Sequence, residues 1–90
     1  MSTFSLEIIT PEKIILNKEV QHLIVRTTEG DVGILKNHVD YVAAIKKGPL
    51  KIFVDGKYDQ KAMVKDGLIS VLNGKVTIIV MEYLPFFERN

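Results

Sequence analysis

The 90 residues contain no cysteine and no tryptophan, and only two histidines, His22 and His38. Without cysteine there is no disulfide, no thiolate nucleophile and no cysteine-held metal. Two histidines leave a zinc site short of ligands. With Phe and Tyr as the only aromatics, the stacking surfaces of carbohydrate-binding modules are sparse. An excess of one charge is missing too. Twelve Lys and Arg oppose 11 Asp and Glu, for a net charge of +1. The lysines alternate with acids along the chain, unlike the basic face of a nucleic-acid binder. The longest apolar runs, such as Val76 to Met81 (broken by Thr77), fall far short of the roughly 20 residues of a spanning helix. Met1-Ser2-Thr3-Phe4 lacks the basic region and apolar run of a signal peptide. A cytoplasmic or equivalent location is expected, with no direct membrane insertion and any membrane association made through a partner.

What remains is an ordinary globular composition, 47% apolar and 26% charged. The length suits one domain that buries roughly 60–65% of its unfolded surface. The dominant period is two. Phe4, Leu6 and Ile8 alternate with Ser5 and Glu7, as in a strand buried on one face. Thr10-Pro11-Glu12 reads as a turn. Ile14 to Leu16 and Val20 to Thr27 are further strands, separated by Asn17-Lys18-Glu19. Gly30 and Gly33 flank Asp31 and Val32, and suggest backbone conformations closed to other residues, in a tight loop or bulge.

In the second half, Leu50, Ile52 and Val54 alternate up to Asp55-Gly56, a strong hairpin signal before Tyr58 to Val64. Asp66-Gly67 punctuates, Leu68 to Leu72 follows, and Asn73-Gly74 turns the chain into Val76 to Met81. No segment sustains a 3.6-residue period, and there is no internal repeat or linker. Short strands with turns every 8–12 residues predict an all-β antiparallel sandwich or barrel. At the tail, Pro85-Phe86-Phe87 is expected to fold back onto the sandwich, with a partner-facing role as the alternative.

No catalytic set stands out. Ser2, Ser5 and Ser70 lie in no Gly-x-Ser-x-Gly elbow, and no phosphate-binding Gly-x-x-x-x-Gly-Lys loop occurs. Glu29 and Asp31 could form a paired-carboxylate acid/base device if they shared a strand face. A solvated turn is the stronger reading. His22 reads as a partly buried structural histidine, and His38 is left without a role by its chemistry alone. Tyr41 to Ile45, with small residues at its centre, is either a docking surface or a fully buried strand. Lys65 beside Asp66-Gly67 raises a biotin- or lipoyl-carrier alternative, but its neighbours Val64 and Asp66 match neither carrier motif. An all-β ligand-binding module is the other alternative.

Glu29-Gly30-Asp31-Val32-Gly33-Ile34, then His38, then Ala44-Ile45-Lys46-Lys47-Gly48, taken in that order, resemble the central signature of the epsilon subunit of F-type ATP synthases. Leu6 to Glu12 is similar to that family's first strand and turn, and Gly67 to Val71 with Asn73 to Ile78 to its last hairpin. Lys36-Asn37 replaces the usual proline-containing pair before the His, and Asp66-Gly67 the usual Gly-Gly or Ser-Gly. The resemblance runs from about Phe4 to Tyr83. It implies a flattened antiparallel β-sandwich of roughly ten short strands in two sheets over residues 1–84. Residues 85–90 would form a tail where the family's two helices begin.

The resemblance also implies a non-catalytic rotor subunit at the cytoplasmic face of the membrane, docking on the gamma subunit and the c-ring. On this basis Glu29, Gly30, Asp31, Val32 and Gly33 would face the ring. His38, Tyr41, Val42 and Ala43 would contact gamma. No cofactor, metal or bound nucleotide is expected. The family's inhibitory and ATP-holding functions belong to the helices, so ATP is expected to leave this chain's thermal stability unchanged.

Overall fold

Alternating apolar side chains build eight strands in the computed structural model, which describes residues 2–86. They are β1 (Phe4–Ile9), β2 (Ile14–Val20), β3 (His22–Thr27), β4 (Gly30–Leu35), β5 (Tyr41–Ile45), β6 (Gly48–Val54), β7 (Lys57–Leu72) and β8 (Lys75–Phe86). There is no helix among the described residues. Hydrogen bonding runs in the order β2-β1-β8-β7-β5-β3-β4, with β6 bridging β3 and β7. All pairs are antiparallel except β1 with β8.

β7 and β8 are long because each serves both layers of the sandwich. The second half of β7 pairs with β5, and its first half with β6. One layer is therefore β2, β1, the first half of β8, the second half of β7, and β5. The other is β4, β3, β6, the first half of β7 and the end of β8. Eight chain segments thus fill ten sheet positions, in line with the roughly ten short strands that the resemblance implies.

The crossing between layers is visible as a change of phase. In β7, Ala62 and Val64 are buried, then Ile69 and Val71. In β8, Val76, Ile78 and Val80 are buried, whereas Tyr83 takes over beyond them. A two-residue period cannot connect these sets, so the alternation breaks once in each strand without a change of register. Asp66 and Met81 drop out of the pairing between Lys65–Glu82 and Gly67–Val80. Asp66 adopts φ 53 at that point. A left-handed residue there interrupts the extended backbone and redirects the faces of the strand.

The two sequence-marked hairpins close as expected. Asp55 (φ 56) with Gly56 (φ 73), and Asn73 (φ 51) with Gly74 (φ 78), have the paired positive φ of a type I′ turn. Asn17-Lys18-Glu19, read as a gap, lies inside β2. These residues pair with Glu7, Leu6 and Ser5, and an edge strand tolerates polar side chains. The bend is instead at Gln21, whose N–H donates to the Phe53 carbonyl and carries the chain between layers.

Leu6, Ile8, Leu23, Val25, Leu50, Ile52, Ile69 and Ile78 fill the interior between the layers. At one end the layers are joined where Thr27 pairs with Ile45. β8 continues through Pro85 and Phe86, paired with Ala62 and Lys61, and the Lys61 ammonium lies 5.6 Å from the Phe86 ring centre. The rest of the expected tail, from Phe87 on, lies outside the described residues.

Candidate docking surface and hairpin tip

The segment expected to be a glycine-bent loop is a β-hairpin. Thr28 and Glu29 make its turn, and Gly30 to Gly33 are already in β4, opposite Thr27 to Ile24. Gly30 at φ 112 supplies a conformation that other residues avoid. Gly33 departs from expectation: it has no left-handed backbone, and a Cβ there would lie 3.3 Å from His22 Nε2. Its absent side chain leaves room for the histidine across the strand pair. The His22 ring stacks on Phe53 with centroids 5.0 Å apart.

Thr27, buried beneath the turn, holds it closed. Its hydroxyl donates to the Gly30 carbonyl at 2.9 Å and accepts from the Glu29 N–H at 3.1 Å. Beyond it the two acids part company. Arg26 Nε donates to Asp31 Oδ1 at 2.9 Å and Nη2 to Oδ2 at 3.4 Å. That bonding holds the Asp31 carboxyl below the usual carboxylate range and raises the guanidinium in turn. Glu29 instead accepts from the Tyr41 hydroxyl at 3.0 Å. With separate partners the two do not form a paired-carboxylate device, and Glu29 is the acid left at the tip.

His38 follows Asn37, whose φ of 66 makes the turn that proline would otherwise help to set. The His38 N–H donates to the Leu35 carbonyl, and Nδ1 donates to the Val39 carbonyl at 2.7 Å. Its ring meets Tyr41 edge-on at 5.8 Å. In β5, Tyr41 and Ala43 turn inward against the core, whereas Val42 and Ala44 point outward. The run is therefore half-buried, neither the sealed strand nor the wholly exposed surface weighed from the sequence.

The outward residues of β5 belong to a larger surface. Across the layer, Ala44 pairs with Leu68, Leu68 with Ile79, Ile79 with Ile9, and Ile9 with Ile14. Leu68, Ile79 and Ile14 are 43%, 47% and 59% exposed, and Val42 beside them is 65% exposed. A contiguous exposed apolar row on a folded domain marks a binding surface. Of these, the sequence reading singled out only Val42 as a contact. The missed signal was Leu68-Ile69 and Ile78-Ile79-Val80-Met81, apolar in both phases where a half-solvated sheet should alternate.

Elsewhere the features are structural. An open groove of about 390 Å³ between Ile15, Gln60, Tyr83 and Phe86 has its polar groups engaged, the Tyr83 hydroxyl donating to Gln60 at 2.6 Å. Lys65 lies within β7 and not at a hairpin tip, which removes the geometry a carrier lysine needs. Among the described residues no three His, Asp or Glu side chains group as for a metal. No helix there is long and apolar enough to cross a membrane.

Residues 3–85 match the β-sandwich domain of the ATP synthase delta/epsilon chain. The ATP synthase epsilon chain of Ruminococcus albus is 39% identical over 89 residues, which cover 99% of this chain and 66% of that one. That of Alkaliphilus oremlandii is 41% identical over 78 residues, or 87% of this chain and 58% of that one. A chain of the Euglena gracilis mitochondrial ATP synthase, solved with OSCP, F1 and c-ring, superposes with a TM-score of 0.87 at 26% identity, covering 94% of this chain and 54% of that one. A Tetrahymena thermophila central stalk/c-ring chain, at 21% identity and a TM-score of 0.78, shares the fold. The chain thus spans about three-fifths of the length of the curated relatives, and it belongs to the ATP synthase delta/epsilon family through that family's β-sandwich domain.

Proposed function

We propose that this domain is a non-catalytic docking module of an F-type ATP synthase rotor, held between the gamma subunit and the c-ring at the cytoplasmic face of the membrane. The observation that carries the reading is the exposed apolar row from Ala44 through Leu68 and Ile79 to Ile14, on one outward face of an epsilon-type sandwich. Burying such residues is worth roughly 25 cal/mol per Å² of apolar surface, the main drive for subunit association. Val42, flanked by His38 and Tyr41, borders that face, which supports the reading that these residues contact gamma. The solved Euglena relative belongs to a complex that contains F1 and c-ring, which supports the same assignment for this chain.

In this reading gamma covers the apolar face and the β3–β4 hairpin tip meets the polar loops of the ring. Glu29 supplies the acidic charge there, and rim charges of this kind set register and association rate more than affinity. Coupling follows from rigidity: two partners gripping one packed domain turn together. The test is reconstitution of an ATP synthase stripped of its epsilon chain. Adding this chain should restore gamma binding and raise ion-driven ATP synthesis. Failure to bind a gamma–c-ring subcomplex would refute the reading.

A further inference from the structure

Glu29 and Tyr41, 12 residues apart, are assigned above to different partners, yet they are bonded to each other. The contact is one of several between the hairpin tip and β5. The Thr28 N–H donates to the Ala44 carbonyl at 3.0 Å, the Lys46 N–H to the Arg26 carbonyl at 3.0 Å, and Thr27 pairs with Ile45. The two ends of the Tyr41–Glu29 bond are unequal. Tyr41 is packed against the core and edged by His38, so its hydroxyl has little freedom. Glu29 is exposed on a two-residue turn, with a long side chain that would otherwise sample many rotamers.

We propose that Tyr41 is a positioning residue for Glu29. Its hydroxyl holds the carboxylate in one orientation at the hairpin tip, already set for the basic group of the partner there. Preorganisation of this kind raises affinity by removing an ordering cost from the binding step. Val42, next to Tyr41, and Ala44, bonded to the turn, both line the apolar face, so a partner seated on that face also steadies the tip. The inference rests on the function proposed above.

The experiment uses the full chain and measures binding to detergent-solubilised c-ring and, separately, to gamma. Tyr41→Phe keeps the ring and its packing but removes the donor. It should weaken ring binding about three- to tenfold, as expected for one lost hydrogen bond, and weaken it more than gamma binding, because the aromatic ring and its packing are kept, with thermal stability unchanged. The loss should appear in the dissociation rate, because the charge that steers association is intact. Glu29→Gln should also weaken ring binding, and the double variant should be no weaker than Glu29→Gln alone, since both remove one interaction. Additive losses, or parental ring binding by Tyr41→Phe while Glu29→Ala binds poorly, would overturn the inference alone. Parental ring binding by Glu29→Ala would overturn it together with the assignment of the tip to the ring.

Discussion

Gly67 and Ile79 approach each other so closely that a Cβ on Gly67 would overlap the Ile79 carbonyl oxygen and come within 2.7 Å of Val80 Cγ1. The obstacle is backbone on a central, buried pair of strands, and it cannot rotate away. This is also where Asp66 and Met81 leave the pairing and both long strands pass from one layer to the other. Only glycine lets the strands pair again directly after the interruption.

Gly67→Ala is therefore expected to destabilise the domain by at least about 2 kcal/mol, toward the severe end for a single methyl group. Chemical denaturation measures this directly, and the melting temperature should fall by roughly 10 °C. Gly56→Ala is the comparison. It is strained by φ 73 but has open space around it, so its cost should be about 1 kcal/mol.

Neighbouring residues of β7 and β8 should separate stability from docking. Ile78 is fully buried, and Ile78→Ala should cost about 2–5 kcal/mol through the cavity it leaves. Leu68 is 43% exposed on the outward side, and Leu68→Ala should cost less than about 1 kcal/mol. Gamma binding, measured by calorimetry well below both melting temperatures, should reverse that order.

Partial burial raises the Tyr83 hydroxyl above the ordinary 10.0, with the Asp59 charge adding to it. A raised value in the folded state means the neutral phenol is the form that folding favours. Its contribution is complete below about pH 10, the unfolded value, and is lost as pH climbs through the folded one. Stability should therefore fall at alkaline pH more steeply for the parent than for Tyr83→Phe. Denaturation series between pH 8 and 11 check the difference, and parallel curves would show that Tyr83 is not responsible.

Much of this fold was legible in the residues. Leu6 and Ile8, Leu50 and Ile52, and the Asp55-Gly56 and Asn73-Gly74 turns each follow a local rule that tertiary context reinforces. Asn17 to Glu19 was misjudged because polarity resembles a break when the strand is an edge. The dual membership of β7 and β8 was hidden because Asp66-Gly67 looks like any turn. Only the change of phase from Val64 to Ile69 reveals a strand that continues through it. At the candidate site, the hairpin residues and β5 are singled out by ordered motifs. The Tyr41–Glu29 bond and the row from Ile14 to Leu68 depend on strand order, which no local pattern encodes.

Affinity for gamma, compared across three variants of the full chain, decides whether the apolar face is the docking surface. Val42→Glu and Ile79→Glu place charge on the apolar face, while Lys57→Ala alters the distant β6–β7 turn. At least a roughly tenfold loss is expected for each of the first two, with parental binding for the third. Parental affinity in Val42→Glu and Ile79→Glu, with both proteins folded, would contradict docking through that face.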